Sequence, residues 1–189
     1  MTHHKDLRSY LEALDALGDL AHITREVDGD MEPGAITRLA CETDAPAPLM
    51  ENIRGVAPGF RILGAPAARS SRKDMPYARV ALSLGLEPGS TVPQIVDALL
   101  ANRERPGIKP VRVDAATAPS RQHILRGDDA NLDRFPIPFA HDSDGGRYAN
   151  TWGMLIAKTP DGRWTNWSIA RVMKVAGKRM AARLTPVID

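Results

Sequence analysis

One cysteine, Cys41, is the whole thiol complement of this sequence, so no internal disulfide can form. That suits a reducing compartment. With no Cys-x-x-Cys pair and with Ile36, Leu39 and Ala40 beside it, Cys41 is expected to be a packed thiol and not a nucleophile. No apolar run approaches the roughly 20 residues of a membrane span, and Met1 to Asp6 lacks the apolar segment of a secretory signal. A cytoplasmic location with no membrane partner is therefore expected. A net charge of +2 sets up no strong field for nucleic acid. Nor are Trp164 and Trp167 set in a basic groove, so a nucleic-acid module is disfavoured.

Several site signatures are also missing. Gly59 and Gly64 have the outer spacing of a phosphate-binding P-loop, but Ala65-Pro66 follows where Lys-Ser/Thr is required. Asp142-Ser143-Asp144-Gly145 begins like a calcium loop, yet Arg147 and Gly153 stand where that loop needs Gly and Glu. The histidines at 3, 4, 22, 123 and 141 form no zinc-binding pair. Asn166-Trp167-Ser168 matches a glycosylation sequon, which has no meaning without a secretory route.

What is present is ordinary globular material: 189 residues, 43% hydrophobic and 25% charged. Leu7, Tyr10, Leu11, Leu14 and Leu17 recur at helical spacing up to a stop at Gly18. Leu20 to Ile23 reads as a short strand, Pro33 to Thr43 as a helix opened by Asp30, and Pro48 to Ile53 and Phe60 to Gly64 as strands. Ser90-Thr91-Val92-Pro93-Gln94 caps a further helix with Val92, Ile95, Val96, Leu99 and Leu100 on one apolar face. The order is αβαββα. Five prolines between Arg105 and His141 then break regular structure, and Pro136-Ile137-Pro138 is expected to lie extended on the protein. The expected class is mixed α/β: an N-terminal α/β lobe over 1–105, a proline-rich connection over 106–141, and an antiparallel β-rich lobe beginning at 142–189.

The last third carries the chemistry. A Gly-Gly turn, Ser143 to Tyr148, feeds a β-rich segment that is predicted to form an antiparallel hairpin from about 148 to 173, reversing at Pro160-Asp161-Gly162. Its return strand holds Asn166, Ser168 and Arg171, which offer a hard carbonyl oxygen, a hydroxyl and a guanidinium fork. Such groups suit a divalent metal and a phosphate. The plain alternative makes Trp152, Met154, Trp164, Trp167 and Ile169 the core of the hairpin, with Asn166 and Arg171 facing water. Geometry adds a condition: Asn166 and Arg171 are an odd number of residues apart, so they share a ligand only if the strand kinks, bulges or ends between them.

Asp144-Gly145-Gly146 and Thr165-Asn166-Trp167-Ser168-Ile169-Ala170-Arg171, together with Asp6-Leu7-Arg8-Ser9, Ala35-Ile36-Thr37-Arg38, Cys41-Glu42-Thr43, Ala47-Pro48-Leu49 and Phe60 to Pro66, resemble the UbiD family of prenylated-FMN-dependent decarboxylases. The resemblance spans about residues 6 to 180 and is strongest to the ferulate and phenylacrylate decarboxylases. It implies a split-barrel-like flavin-binding lobe, incomplete here. It also implies reversible, non-oxidative decarboxylation of a small α,β-unsaturated or aromatic acid of the cinnamate or ferulate type.

The resemblance implies residue roles as well. Thr151, Asn166, Trp167, Ser168, Ile169, Ala170 and Arg171 would hold the flavin. Asn166 would ligate Mn²⁺ or Mg²⁺ at its phosphate, and the Trp167 backbone carbonyl would serve a K⁺ site. Arg171 would be the catalytic residue, forming a network with two glutamates. Those glutamates, a second metal carboxylate and a metal-binding histidine lie downstream in the family, whose members are more than twice this length and are homodimers. At the position aligned with the histidine this sequence has Asp189, with Ile188 before it where the family commonly has Gln. The chain is thus expected to be inactive alone and to need downstream sequence or a complementary chain; the other reading is a non-catalytic flavin-binding or structural fragment.

Overall fold

The structure, a computed structural model, describes residues 4–109 and 111–182. The first elements are α1 (Leu7–Ala16), β1 (Leu20–Ile23), α2 (Glu32–Glu42), β2 (Ala47–Met50), β3 (Ile62–Leu63), α3 (Ala78–Ser83) and α4 (Val92–Arg103). After three short 3₁₀ turns come β4 (Arg147–Asn150), β5 (Met154–Lys158), β6 (Thr165–Ile169), β7 (Val172–Ala176) and β8 (Arg179–Ala182). The class is mixed α/β, and the C-terminal sheets are antiparallel with no closed barrel among the described residues.

Two compact units are interleaved along the chain. The first joins Met1–Asp19 to Ala67–Ala130. Asp6 caps α1 by accepting from the Ser9 N–H at 2.9 Å, and the helix ends before Gly18, whose φ of 72° lies in the left-handed region that glycine tolerates. Thr91 and Gln94 form the expected capping box on α4. The α4 apolar face is not buried as the spacing suggested: only Ile95 is covered, while Val92, Val96, Leu99 and Leu100 are exposed. Periodicity creates such a face, but a neighbouring element has to bury it.

Helix α3 was not anticipated, because a charged residue, Arg79, stands in its first turn. That arginine is fully buried, its guanidinium donating to both carboxylate oxygens of the equally buried Asp19 at 2.9 and 2.7 Å. The Ser71 N–H and hydroxyl also donate to Asp19, at 2.9 and 2.7 Å, so the buried charge is both paired and hydrogen-bonded. The Tyr10 hydroxyl of α1 donates to the Arg79 carbonyl at 3.1 Å, stitching α1 to α3.

The second unit joins Leu20–Pro66 to Asn131–Asp189. Parallel pairing of β1 with β2 across α2, and antiparallel pairing of β2 with β3, give a three-stranded sheet. Val27, Met50 and Ile53 centre its core, with Ile23, Ile36, Val56 and Ile62 packed against them. Asp30 does not open α2. Met31 stands at the cap position with φ of 67°, and its N–H donates to the Phe139 carbonyl at 2.7 Å, so long-range pairing prevails over local capping. Cys41 is exposed, not packed: it lies beside Ala40, the residue of this helical turn that faces inward.

Residues 136–140 are pinned to the unit at Phe139, which bridges to Asp30, while a tight turn at Pro136 bonds the Ile137 N–H to the Phe135 carbonyl at 2.8 Å. Phe139 exchanges hydrogen bonds with Gly29 and Met31, and Gly34 has no room for a β-carbon against the Ala140 carbonyl. The predicted hairpin forms as β5 and β6, with Met154 opposite Ile169 and Lys158 opposite Thr165. Thr159 to Gly162 makes the turn, closed by the Gly162 N–H donating to the Thr159 carbonyl at 2.8 Å. Beyond the hairpin the flanking strands leave it for another sheet, ordered β4-β7-β8.

Candidate functional site

The switch between sheets creates the site. Strand β4 ends in a register shift between Tyr148 and Asn150, and Thr151-Trp152-Gly153 turns the chain into β5. On the return, β6 ends at Ile169 and β7 begins at Val172, so Ala170 and Arg171 form a corner beside that turn. A cleft of about 700 Å³ opens here. Thr151, Trp152, Ile169 and Arg171 line it from the two corners, and Ala140, His141, Asp144 and Tyr148 from the approach to β4.

The strand does end between Asn166 and Arg171, which meets the condition set by their odd separation. Pairing also sorts the residues of β6 by face. Trp167 and Ile169 stand opposite Ile156 and Met154, whereas Asn166 and Ser168 stand opposite Ala157 and Leu155. Of the seven expected cofactor-binding residues, the cleft gathers Thr151, Ile169 and Arg171. Ala170 is buried at the corner with its carbonyl engaged by Asn150. Asn166, Trp167 and Ser168 do not line the cleft.

His141, Asp144, Tyr148 and Trp152 are lining residues that sequence reasoning left without a role. For Asp144 and Tyr148 the signal was the Asp-Gly-Gly-Arg-Tyr run that carries them. Gly146 lets the chain pass so close to Met173 that a β-carbon would come within 2.9 Å of its sulfur. The Asp144 carboxylate accepts from the His141 N–H at 3.1 Å, closing the turn.

The apolar side of the hairpin is open. Trp167 is 65% exposed and Trp152 79%, and Met154, Ile156, Trp164 and Ile169 are each more than half exposed. They are not the hairpin core of the plain alternative. The cleft joins a guanidinium and a hydroxyl to an indole and a branched aliphatic, with His141 and Asp144 also lining it; an indole and an aliphatic can contact a flat ring, and a guanidinium an anion. A metal shell is less complete. Among the described residues no three His, Cys, Asp or Glu side chains converge, and Asn166 contributes an amide only. Asp189 lies outside the described residues.

Comparison with known proteins places this architecture. Residues 11–99 match the 3-octaprenyl-4-hydroxybenzoate carboxy-lyase N-terminal domain and residues 111–187 match its Rift-related domain. Ferulic acid decarboxylase 1 of Saccharomyces cerevisiae is 42% identical, over 93% of this chain and 35% of the relative. Pyrrole-2-carboxylic acid decarboxylase of Pseudomonas aeruginosa is 40% identical, over 96% and 36%. The chain thus spans little more than a third of the curated relatives it matches. Among solved structures, an evolved dimeric form of HmfF from Pelotomaculum thermopropionicum, in complex with prFMN, superposes with a TM-score of 0.75 at 26% identity, covering 97% of this chain and 39% of that one. The closed form of vanillic acid decarboxylase from Sedimentibacter hydroxybenzoicus shares the fold, with a TM-score of 0.84 at 21% identity over 98% and 38%.

Proposed function

This chain belongs to the UbiD family of carboxy-lyases, and from that premise we propose that it is the N-terminal portion of a reversible, non-oxidative decarboxylase of α,β-unsaturated or aromatic acids. The observation that carries the reading is the meeting of Thr151, Ile169 and Arg171 at one cleft, within the stretch matching the Rift-related domain. Prenylated FMN is the proposed cofactor, since a relative of this fold was solved with it bound. When bound, it supplies the electron sink that lets CO₂ leave.

The chain's own residues orient and tune. Ile169 and the Trp152 indole offer an apolar bed for a ring system, and the Thr151 hydroxyl a polar contact at its margin. Arg171 is the proposed catalytic residue: a permanent, planar cation that keeps neighbouring carboxylates ionised. Ser168 and Ala170 serve through backbone groups, which are fixed at low entropic cost. The Asn166 side-chain oxygen is proposed as a ligand for Mn²⁺ or Mg²⁺, and the Trp167 carbonyl for K⁺.

Residues 1–105 form the proposed α/β lobe, 106–141 a connection and 142–189 the start of the flavin lobe. Turnover needs two glutamates and a histidine supplied by downstream sequence or a complementary chain, in a protein that works in the cytoplasm as a dimer. The test is retention: incubate the purified chain with prenylated FMN and Mn²⁺, desalt it, and measure flavin absorbance and intact mass. Bound flavin that falls away in Asn166→Ala supports the reading, and a chain that emerges colourless contradicts it.

A further inference from the structure

Asn150 does not line the cleft, yet its side chain touches both corners that do. Its amide nitrogen donates to the Ala170 carbonyl at 3.1 Å, and its amide oxygen accepts from the Gly153 N–H at 2.5 Å. The first bond reaches the residue between Ile169 and Arg171. The second closes the Thr151-Trp152 turn from beneath. One half-buried amide thereby ties the four corner residues of the cleft wall together.

A primary amide satisfies both partners at once, because it carries one donor group and one acceptor on a short stem. Gly153 is part of the same device. A β-carbon there would collide with the Asn150 amide, so the turn closes this tightly only over glycine. Backbone pairing gives out just beyond Asn150: its partner Val172 is the last in the β4–β7 ladder, after a register shift between Tyr148 and Asn150, and β6 stops at Ile169. The side chain replaces the ladder bonds the corner lacks.

We propose that Asn150 is a positioning residue that sets the spacing between the Thr151-Trp152 turn and the Ala170-Arg171 corner, and so the fit of the flavin ring between them. This rests on the proposed flavin function of the cleft. Asn150→Asp keeps the acceptor for Gly153 but puts a carboxylate against the Ala170 carbonyl; Asn150→Ala removes both bonds.

The experiment titrates FMN into the purified 189-residue chain and into both variants, following flavin fluorescence and visible circular dichroism at saturation, with far-UV circular dichroism as the check on folding. Either variant should weaken FMN binding on the order of tenfold, the scale of a lost hydrogen bond, and change the visible spectrum of the bound flavin. A purely structural loss would reduce the binding-competent fraction but leave the bound spectrum unaltered, and that result overturns the inference. Unchanged affinity and spectrum in a folded variant overturn the inference and leave the flavin reading intact. No FMN binding by the wild-type chain overturns the flavin reading and the inference with it. Amide hydrogen exchange reads the clamp without any variant: protection is expected at Gly153, and fast exchange there in the native chain also overturns the proposal.

Discussion

Arg147 reaches 118 residues back along the chain to donate from Nη1 to the Gly29 carbonyl, at 3.0 Å. The same nitrogen donates to Ile137 at 3.0 Å, and Nη2 lies 3.8 Å from an Asp30 oxygen. One guanidinium at the start of β4 thus fastens two loops, including the 136–140 segment that leads into the cleft wall. Arg147→Met leaves two part-buried carbonyls without their donor and should cost about 1–3 kcal/mol. Urea denaturation followed by tryptophan fluorescence measures this, and an unchanged midpoint would show that water replaces the contact.

Asp19 and Arg79 make a buried pair whose removal from one side strands a charge. Arg79→Leu should destabilise the chain by about 3–5 kcal/mol. Burial alone would raise the Asp19 pKa, but the hydrogen bonds from Arg79 and Ser71 outweigh it and hold the carboxylate below its ordinary range. A depressed folded-state pKa means that this stabilisation is present above the unfolded value and lost as pH falls through the folded one. Acid titration of stability below about pH 4 should be steeper in wild type than in Asp19→Asn.

Tyr10 answers to the alkaline side. Burial pushes its phenol up to about 12, with the Arg79 cation only partly offsetting the effect. Because the folded pKa is raised, the associated stabilisation is complete below about pH 10 and declines as pH rises through the folded value. Absorbance titration at 295 nm should show one of the three tyrosines ionising late, and Tyr10→Phe should remove that step.

Gly34 bears on the cleft from behind. A β-carbon there would overlap the Ala140 carbonyl, so Gly34→Ala must displace the segment carrying Ala140 and His141. The expected cost is about 1–3 kcal/mol from overpacking, together with weaker flavin retention. Equal thermal midpoints for Gly34→Ala and wild type would show that the segment yields freely.

What could be read from the sequence was what local chemistry decides. Thr91 and Gln94 cap as their side chains dictate, and Pro160 and Gly162 set a turn whose strands pair in the register that follows from it. Harder to see was anything fixed by distant partners. Arg79 is polar in sequence yet belongs to the core because Asp19 meets it, and Met31 takes the cap position because Phe139 holds its N–H. Cys41 and the α4 face show the limit of periodicity, which orders residues around a helix without saying what covers them. At the cleft, Arg171 was singled out by its motif and lines the cavity, whereas the Asn150 clamp depends on a register shift that no spacing announces.

Arg171 is the residue on which the proposed chemistry turns, and Arg171→Lys separates charge from geometry. The direct test is a chimera in which residues 6–180 of this chain replace the matching segment of Saccharomyces cerevisiae ferulic acid decarboxylase 1, loaded with prenylated FMN and assayed for CO₂ release from cinnamate. The account predicts turnover in the chimera and its loss, at matched flavin loading, in both Arg171→Ala and Arg171→Lys, because a lysine keeps the cation but not the planar fork. Full turnover in the Arg171→Lys or Arg171→Ala chimera, or a folded and flavin-loaded chimera with no turnover at all, would contradict it.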